Sequence, residues 1–594
     1  MHPRHRFPRI LAGAAVVFVL LATAWTPATP NTMDMEPGEA ELPDRYDLRD
    51  VEGRSYVTSV KSQTGGTCWC HGVMAAMEGN LLMTGVWNHS REPNLAEYHL
   101  DWWNGFNQFY NGDLEPPEGD GLEVHYGGDY RVASAYLTRH GAVYSPAAND
   151  DTEKDDVWYY PPPGRYNGSF ERYYPREIAW YTAGDDLEHI DRIKQAVMDH
   201  GVVGTCLCSS SAFMQDYVHY QPPDDDTPPN HAVAIVGWDD TLETQAPGDG
   251  AWLVKNSWSS SWGLDGYFWI SYHDRWCGRH PEMGAVSYQQ VEPMQYEHLY
   301  YHDYHGWRDT MQRAREACNA FTAANDTLVQ AVGFYTAASN VAYNISIYDR
   351  FADGELHDLL VSASGTASHV GYHTVDVGPV AFTAGDDFYL YLSLSKGGQP
   401  YDRTSEVPVL LGCQRQGTIV TSSASRGESY VRLGQRWLDI TYLRRSANFC
   451  VRGFATPWTP TTPDLSCDGS LSWTDVRPGQ QVTGTFTVAN AGEPHSSLDW
   501  EITGWPDWGT WTFTPSSRDN VKPSCPATVQ VTVEAPDTAN TSYTGTITIA
   551  NSENSSDTAT IPVSVATPRA ALPPLLERMA QHFPLLQKLL QRLL

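Results

Sequence analysis

Three side chains of the sequence have the types and settings that nucleophilic catalysis needs. Cys68 follows a Gly-containing turn and opens an apolar run with helical spacing, so its thiol is expected at a helix N-terminus. There the unpaired backbone N–H groups and the helix dipole favour the thiolate, which is the nucleophilic form. His231 and Asn256 each lie at one end of a short apolar run. An imidazole there can pair with the thiolate as imidazolium, and an amide oxygen can orient that imidazole.

Gln63 is the fourth candidate of this group. It lies shortly before Cys68, where its side-chain N–H can donate to a developing oxyanion beside the backbone N–H of Cys68. His71 follows in the first turn of the predicted helix and is expected to pack locally, with an influence on the thiolate as the alternative. The alternative for Cys68, His231 and Asn256 is a structural role in the core.

Metal chemistry is not expected from the sequence. The pairs Cys68/Cys70 and Cys206/Cys208 lack a second matching pair at zinc-knuckle spacing. The acidic run that begins at Asp224 lacks EF-hand spacing and predicts a solvated loop. We therefore expect neither a metal ion nor a cofactor.

The elements that must position these residues lie between residues 42 and 291. Apolar spacing predicts helices over 68–83, 130–139 and 187–200. Short apolar runs bounded by turn residues predict strands over 202–207, 232–237, 251–255 and 266–271. Helices early and strands late predict an α+β domain with two segregated halves.

The remaining sequence predicts two β-sandwich domains. Alternating strand patterns extend over 296–454 and again over 464–567, with a Pro- and Thr-rich linker at 455–463. Residues 573–594 carry an apolar stripe broken by Pro584. This amphipathic tail is expected either to dock on a neighbouring domain or to serve self-association or attachment at the cell surface.

Composition and the N-terminal segment indicate the compartment. The chain of 594 residues carries a formal charge of −32, which repels phosphate backbones and argues against nucleic-acid partners. A basic N-terminus and an apolar run within residues 1–30 predict a secretory signal rather than a membrane anchor. No other stretch is apolar enough to span a bilayer, so we expect a secreted chain without a transmembrane span. Among its 10 cysteines, Cys467 and Cys525 are candidates for a disulfide.

The sequence resembles papain-like cysteine peptidases over residues 42–291. The resemblance is carried by the start at Leu42-Pro43-Asp44, Gln63, Cys68-Trp69, Asn230-His231-Ala232-Val233, Lys255-Asn256-Ser257-Trp258 and Ser261-Trp262-Gly263. It implies a two-lobed fold, acyl transfer through a Cys68 thioester, and protein or peptide substrates. It also implies that Trp69 supports the site and that Trp258 shields the bond between His231 and Asn256 from water.

The same resemblance implies further site residues, and two later segments resemble other domains. Gly127 and Gly128 would line the cleft, and Cys206 and Ala232 would lie near the second specificity pocket. Residues 296–454 contain Ala320-Phe321, Ala331-Val332-Gly333-Phe334-Tyr335 and Tyr343-Asn344-Ile345. On these residues the segment resembles the lectin-like domain that follows some prokaryotic papain-like peptidases, which leaves carbohydrate open as a second partner. The last sandwich resembles an immunoglobulin-like domain.

The sequence departs from the family pattern in two places. Gln63 stands one position closer to Cys68 than is usual, so the turn between them must be shorter. His231 follows Cys68 by more than the about 130–150 residues of the papain pattern. The segments 104–121 and 149–174 are interpreted as loop insertions that absorb the excess.

The sequence is compatible with two other functions. One is a surface adhesin or carbohydrate-binding protein with a degenerate peptidase domain, which the shortened turn after Gln63 would favour. The other is an acyltransferase of the transglutaminase type, a class that usually has Asp where this chain has Asn256. The intact Cys68, His231 and Asn256 favour the peptidase.

Overall fold

The computed structural model describes residues 42–107, 110–114, 121–145, 170–407, 417–459, 461–523 and 525–567. The predicted signal, the apolar tail and most of the expected insertion at 149–174 lie outside these residues. The helices of the described residues are α1 (Cys68–Thr84), α2 (Glu97–Trp103), α3 (Tyr130–His140) and α4 (Ile190–His200), with short 3-10 helices at Ser211–Phe213 and Ile440–Tyr442. None of these helices is both long and apolar enough to cross a membrane.

The first region combines these α-helices with short strands and is of the α+β class. Its strands are β1 (Arg45–Asp47), β2 (Ala142–Val143), β3 (Arg172–Tyr181), β4 (Val203–Leu207), β5 (Met214–Gln215), β6 (Val218–His219), β7 (His231–Asp239), β8 (Ala251–Lys255), β9 (Tyr267–Ser271) and β10 (Ala285–Pro293). Strands β7 and β8 are almost wholly buried, which explains their continuous apolar sequences.

The described residues of the second region form β-strands and one 3-10 turn. Its strands are β11 (His298–Tyr300), β12 (Asp309–Met311), β13 (Glu316–Thr322), β14 (Thr327–Thr336), β15 (Val341–Ala352), β16 (Glu355–Ala367), β17 (Val370–Phe382), β18 (Asp387–Leu394), β19 (Gln399–Asp402), β20 (Ser405–Val407), β21 (Thr418–Val420), β22 (Ser429–Leu433), β23 (Arg436–Asp439), β24 (Asn448–Phe449) and β25 (Val451–Pro457). Strand β25 therefore reaches into the segment expected as a linker.

One sheet runs through both regions. Its strand order is β11-β25-β14-β17-β3-β10-β4-β7-β8-β9-β6-β5, so β17 of the second region pairs directly with β3 of the first. The pairing is antiparallel, with His373 opposite Glu177 and Tyr372 opposite Ile178. A shared sheet joins the two regions through backbone hydrogen bonds and not only through side chains.

The third region is a sandwich of two sheets. Its strands are β26 (Leu465–Asp468), β27 (Leu471–Trp473), β28 (Gln481–Asn490), β29 (Leu498–Gly504), β30 (Thr510–Thr514), β31 (Ser517–Val521), β32 (Ala527–Glu534), β33 (Ser542–Asn551) and β34 (Thr558–Ala566). They form the sheets β26-β28-β32-β30 and β27-β34-β33-β29-β31. The alternating burial of β28 and β32 gives each sheet one face in the core.

The disulfide expected between Cys467 and Cys525 is not formed, and both thiols are free. Cys467 lies opposite Val488, and Val488 lies opposite Ala527, two residues after Cys525. Two strand spacings separate these positions by roughly 10 Å, beyond the Cα separation that a disulfide allows. The prediction was wrong because shared membership of one sandwich does not bring two cysteines onto neighbouring strands.

Helix α1 is the buried centre of the first region. Residues from Cys68 to Leu81 are buried on every side of the helix, and its end is set by Gly85 in the left-handed conformation. A Cβ added at Gly72 would lie 2.7 Å from the Tyr130 hydroxyl, and one added at Gly79 would lie 2.5 Å from Val202. Glycine at both positions therefore lets α1 pack closely against the start of α3 and against the residue before β4.

The secondary-structure predictions for this region are largely confirmed. The helices predicted over 68–83 and 130–139 each extend one residue further, and the four predicted strands are present. Helix α4 begins three residues later than predicted, after Leu187 adopts a positive φ of 61°. The start of β3 lies inside the segment interpreted as a loop insertion, so that segment ends in a strand.

Candidate active site

Cys68 is the first residue of α1 and is completely buried. The turn before it is tight: Gly65 has φ 68°, and the Thr67 hydroxyl donates to the Thr64 carbonyl at 3.0 Å. The Thr67 side chain makes no capping hydrogen bond to the helix. The thiol is therefore carried at a helix N-terminus, as the sequence predicts.

The first turns of α1 lie beside the start of β7, since a Cβ added at Gly72 would lie 3.6 Å from the carbonyl oxygen of Val233. Helix α1 packs against β4 and β7. Burial raises the pKa of the Cys206 thiol on β4 well above its usual value, with smaller contributions from nearby groups that include Cys68. Cys206 lies directly opposite Ala232, the neighbour of His231 on β7. These relations bring the first turn of α1 to the start of β7.

The orientation of the His231 ring is fixed by Asn256. His231 Nε2 lies 2.8 Å from Asn256 Oδ1, and the same oxygen accepts the backbone N–H of Ser257 at 2.8 Å. Because an amide oxygen only accepts, Nε2 must carry the ring proton. In the neutral imidazole the lone pair is therefore on Nδ1, which is the atom that can act as a base.

Burial sets the charge state of this imidazole. Desolvation lowers the pKa of His231 to about 4, and the bond to Asn256 opposes that shift. At neutral pH the isolated ring is neutral, because the charged form is penalised in a dry site. The thiolate–imidazolium pair that the sequence predicts would need the negative charge of the sulfur to offset this desolvation, and it stays a prediction.

An aromatic layer covers the His231–Asn256 bond. The Trp258 ring stacks on the His231 ring with centroids 4.5 Å apart and planes 22° apart. Trp262 packs edge-on against Trp258 at 5.0 Å and against Phe268 at 5.3 Å. His231 is consequently only 5% exposed, and the layer keeps water away from the bond that orients it.

Gln63 is held by the segment that carries Asn256. The Ser257 hydroxyl donates to Gln63 Oε1 at 2.7 Å, and Gln63 N donates to the Ser257 carbonyl at 2.8 Å. Gln63 Nε2 donates to the carbonyl of Gly65 at 2.9 Å inside the shortened turn. An amide nitrogen has two hydrogens, so one N–H remains for an oxyanion. Sequence reasoning did not assign Ser257 this role, although it lies within the Asn256 motif.

Gly128 packs against the indole ring of Trp69, the residue that follows the proposed nucleophile. A Cβ added at Gly128 would lie 2.6 Å from the indole of Trp69, which is fully buried beside Cys68. Gly127 has φ 113°, a conformation that glycine adopts at no steric cost. Gly128 therefore lies against the ring of Trp69, and Gly127 precedes it on the segment leading into α3. Cys206 and Ala232 are both buried, at 0% and 1% exposure.

A buried polar network supports α1 from behind. Glu78 Oε1 accepts from Lys61 Nζ at 2.9 Å and from Leu95 N at 2.8 Å, and Glu78 Oε2 accepts from the Thr58 hydroxyl at 2.7 Å. Lys61 Nζ also contacts Glu97 Oε1 at 2.5 Å. Burial alone would raise the pKa of Glu97. The charge of Lys61 outweighs that effect and keeps the pKa below its usual value.

The same network reaches the strand that precedes Asn256. Lys255 Nζ donates to the Thr58 hydroxyl at 2.9 Å, and burial lowers the pKa of Lys255 to about 8. The sequence did not reveal this network. The feature of the sequence that indicates a buried network is Glu78, an acidic residue in the middle of a largely apolar helix.

His71 bonds within its own helical turn and lines a small pocket together with Lys61 and Glu78. Its Nδ1 donates to the Thr67 carbonyl at 2.9 Å, which is the only role that a carbonyl partner allows. Its ring lies edge-on to Tyr98 at 6.1 Å, and burial lowers its pKa. His71 is thus a neutral residue bonded inside its own turn, in agreement with the local packing expected for it.

Comparisons with known sequences support this architecture. Residues 133–287 match the papain family cysteine protease model, and residues 299–455 match the lectin like domain model. The first range contains His231 and Asn256 and begins after Cys68. Procathepsin L of Rattus norvegicus is 27% identical over 247 residues, which cover 40% of this chain and 62% of that protein. A cathepsin L-like peptidase of Aedes aegypti is 27% identical over 250 residues, covering 41% and 63%. The chain thus spans less than two thirds of the length of these relatives.

Comparisons with solved structures show the same fold. The clostridial cysteine protease Cwp84 after propeptide cleavage aligns with a TM-score of 0.57 at 21% identity, covering 70% of this chain and 99% of that one. A structure of the protease and lectin-like domains of Cwp84, described as a surface layer associated protein of Clostridium difficile, aligns with a TM-score of 0.54 at 21% identity, covering 70% and 89%. Over the aligned part, the chain therefore shares the fold of these structures. The chain carries a papain-family cysteine protease domain followed by a lectin-like domain.

Proposed function

We propose that this chain is an exported cysteine endopeptidase. Cys68 attacks the carbonyl carbon of a peptide bond while its thiol proton passes to His231 Nδ1. The imidazolium then gives that proton to the leaving amine, and water hydrolyses the thioester. The observation that carries the proposal is the bond of His231 Nε2 to Asn256 Oδ1, since it leaves Nδ1 as the base.

The remaining residues have supporting roles in this proposal. The developing oxyanion accepts from the Cys68 backbone N–H and from the second N–H of Gln63 Nε2. Trp258 keeps the His231–Asn256 bond dry. Water rather than an amine is the final acyl acceptor, which separates this function from a transglutaminase-type acyltransferase.

Digestion of a peptide library by the purified chain, read by mass spectrometry, tests the proposal. We expect new internal termini to form and a thiol-directed epoxide to prevent their formation. Addition of a primary amine should leave hydrolysis products in excess over amides. An intact library, or products that form equally well after the epoxide treatment, would rule the endopeptidase out.

Export and a sugar partner are the further parts of the proposal. The basic and apolar segment within residues 1–30 supports export, and the surface-layer association of Cwp84 supports a location at the cell surface. The lectin-like domain supports carbohydrate as a partner beside peptide substrates. A glycan array probed with the full chain would detect this partner, and an array without signal would count against it.

Replacing Gln63 should slow the chemical step. The Gln63→Ala variant is expected to lose about 10²–10³ in kcat, because one of the two oxyanion donors is removed. Ser62→Ala is the matched control, since Ser62 is an exposed neighbour that contacts Trp258 through its backbone. Steady-state kinetics on one peptide would separate the two variants. Equal kcat values for both would remove Gln63 from the mechanism.

The acid side of the pH–rate profile should reflect His231. Burial lowers its pKa to about 4, and the ring must be unprotonated to accept the thiol proton. Activity should therefore rise with pH through about 4 and disappear below it. Asn256→Ala removes the bond that raises this pKa, so its acid limb should move to still lower pH. An acid limb near the ordinary histidine value of about 6.5 would contradict the assignment.

A further inference from the structure

A cluster of two histidines and one carboxylate lies where the protease and lectin-like domains share their sheet. Glu177 on β3 lies directly opposite His373 on β17, and His369 precedes β17 by one residue. Glu177 Oε2 lies 2.7 Å from His373 Nδ1 and 3.2 Å from His369 Nε2. One ligand atom from each residue falls within 4.8 Å of the other two. The cluster has no part in the proposed peptidase mechanism.

The hydrogen bonds around His373 turn its Nδ1 lone pair toward Glu177. The Thr336 hydroxyl donates its single hydrogen to the His369 carbonyl at 3.0 Å and lies 2.9 Å from His373 Nε2. Thr336 must therefore accept from Nε2, which then carries the proton of the neutral ring. The Nδ1 lone pair of the neutral ring faces a carboxylate oxygen at 2.7 Å, and either a proton or a metal ion between the two atoms removes their repulsion.

His369 offers a second nitrogen to the cluster. Its Nε2 is buried and makes no hydrogen bond to any residue that the structure describes, although it lies 3.2 Å from Glu177 Oε2. Its other nitrogen, Nδ1, lies 3.4 Å from the Ser368 hydroxyl. Each histidine thus has a hydroxyl beside one ring nitrogen and turns the other nitrogen toward Glu177. This is the arrangement in which metal-ligating histidines are held by outer partners.

We propose that Glu177, His369 and His373 bind a divalent zinc ion. Two imidazoles and one carboxylate are a common zinc donor set, and a water molecule usually completes the tetrahedron. Zinc bonds of about 2.0–2.1 Å put neighbouring ligand atoms about 3.3 Å apart. The contact of Glu177 with His369 already has this length, and the contact with His373 needs to open by roughly half an ångström.

The site adjoins a cleft and has a structural consequence. His369 lines a cleft of about 520 Å³ between α4 of the protease domain and the loops around Asn340 and Ser368 of the lectin-like domain. An ion would enter from this cleft past the His369 ring. A metal bound there cross-links β3 and β17, so it stabilises the association of the two domains.

Zinc titration of the full chain tests this site. A Cys68→Ala background removes the proposed catalytic thiol as a competing ligand and makes the result independent of peptidase activity. After dialysis against a chelator, zinc is added in competition with a chromogenic chelator, and the thermal midpoint is recorded with and without zinc. His369→Ala and Glu177→Gln are the site variants. His189→Ala is the matched control, because His189 lines the same cleft outside the cluster.

We expect the background chain to bind one equivalent of zinc. The zinc affinity should fall at least about tenfold in both site variants and stay unchanged in the control. Zinc should also raise the thermal midpoint of the background chain and of the control but not of the site variants. Calcium should do neither, since it prefers oxygen ligands. Equal zinc affinity and stoichiometry in the background chain and in His369→Ala would overturn the proposal. So would the absence of zinc binding by the background chain.

Discussion

Cys68→Ala is expected to lower kcat for peptide hydrolysis by about a million-fold, the loss that removal of a nucleophile causes in a comparable catalytic unit. The residual rate would come from substrate binding and oxyanion donors alone. The loss follows because the variant has no atom that can form the acyl intermediate at the start of α1. Single-turnover kinetics on a fluorogenic peptide would measure it.

Cys70→Ala provides the matched control for this prediction. Cys70 lies in the same helical turn and is equally buried, but it is not the first residue of α1. We expect its kcat to stay within a few-fold of the unmodified chain. A million-fold loss in Cys70→Ala together with an active Cys68→Ala would move the nucleophile to the other thiol.

Glu78→Ala is expected to lower the free energy of unfolding by about 3–5 kcal/mol. The substitution leaves the Lys61 ammonium buried with one fewer partner and removes the acceptor of the Leu95 N–H and the Thr58 hydroxyl. A buried charge that loses its partner costs more than the pair contributed. Urea unfolding followed by tryptophan fluorescence would show the first transition at a lower midpoint.

Glu92→Ala is the control for this effect. Glu92 is an exposed carboxylate that bonds Ser59 at the surface, so its loss should cost less than about 1 kcal/mol. If the two variants unfold at the same urea concentration, the buried network does not stabilise α1. The proposed support of Cys68 from behind the helix would then be wrong.

Local patterns were sufficient to predict the elements that carry the candidate site. The apolar spacing after Cys68 predicts α1. In the structure nearly every residue of that helix is buried, which accounts for its apolar sequence. The apolar runs of β7 and β8 predict buried strands, and His231 and Asn256 lie at strand ends as expected. These features depend on residues that are neighbours in sequence, which is why they could be read from it.

Features that join distant segments could not be predicted in the same way. The pairing of β17 with β3 depends on backbone register between segments almost 200 residues apart, and neither strand alone specifies its partner. Lys61 reaches Glu78 from a loop outside α1, so the helix pattern shows only an unexplained acid. The low pKa of His231 arises from burial under Trp258, which the order of the motifs does not reveal.

The rate at which iodoacetamide alkylates Cys68, located by peptide mass mapping, tests the central claim most directly. The claim is that the thiol of Cys68 reacts because the neutral His231 ring takes its proton. We predict selective labelling of Cys68 at neutral pH and a rate at least about 10² lower in His231→Ala. Labelling of Cys68 at the same rate in both proteins would contradict the account.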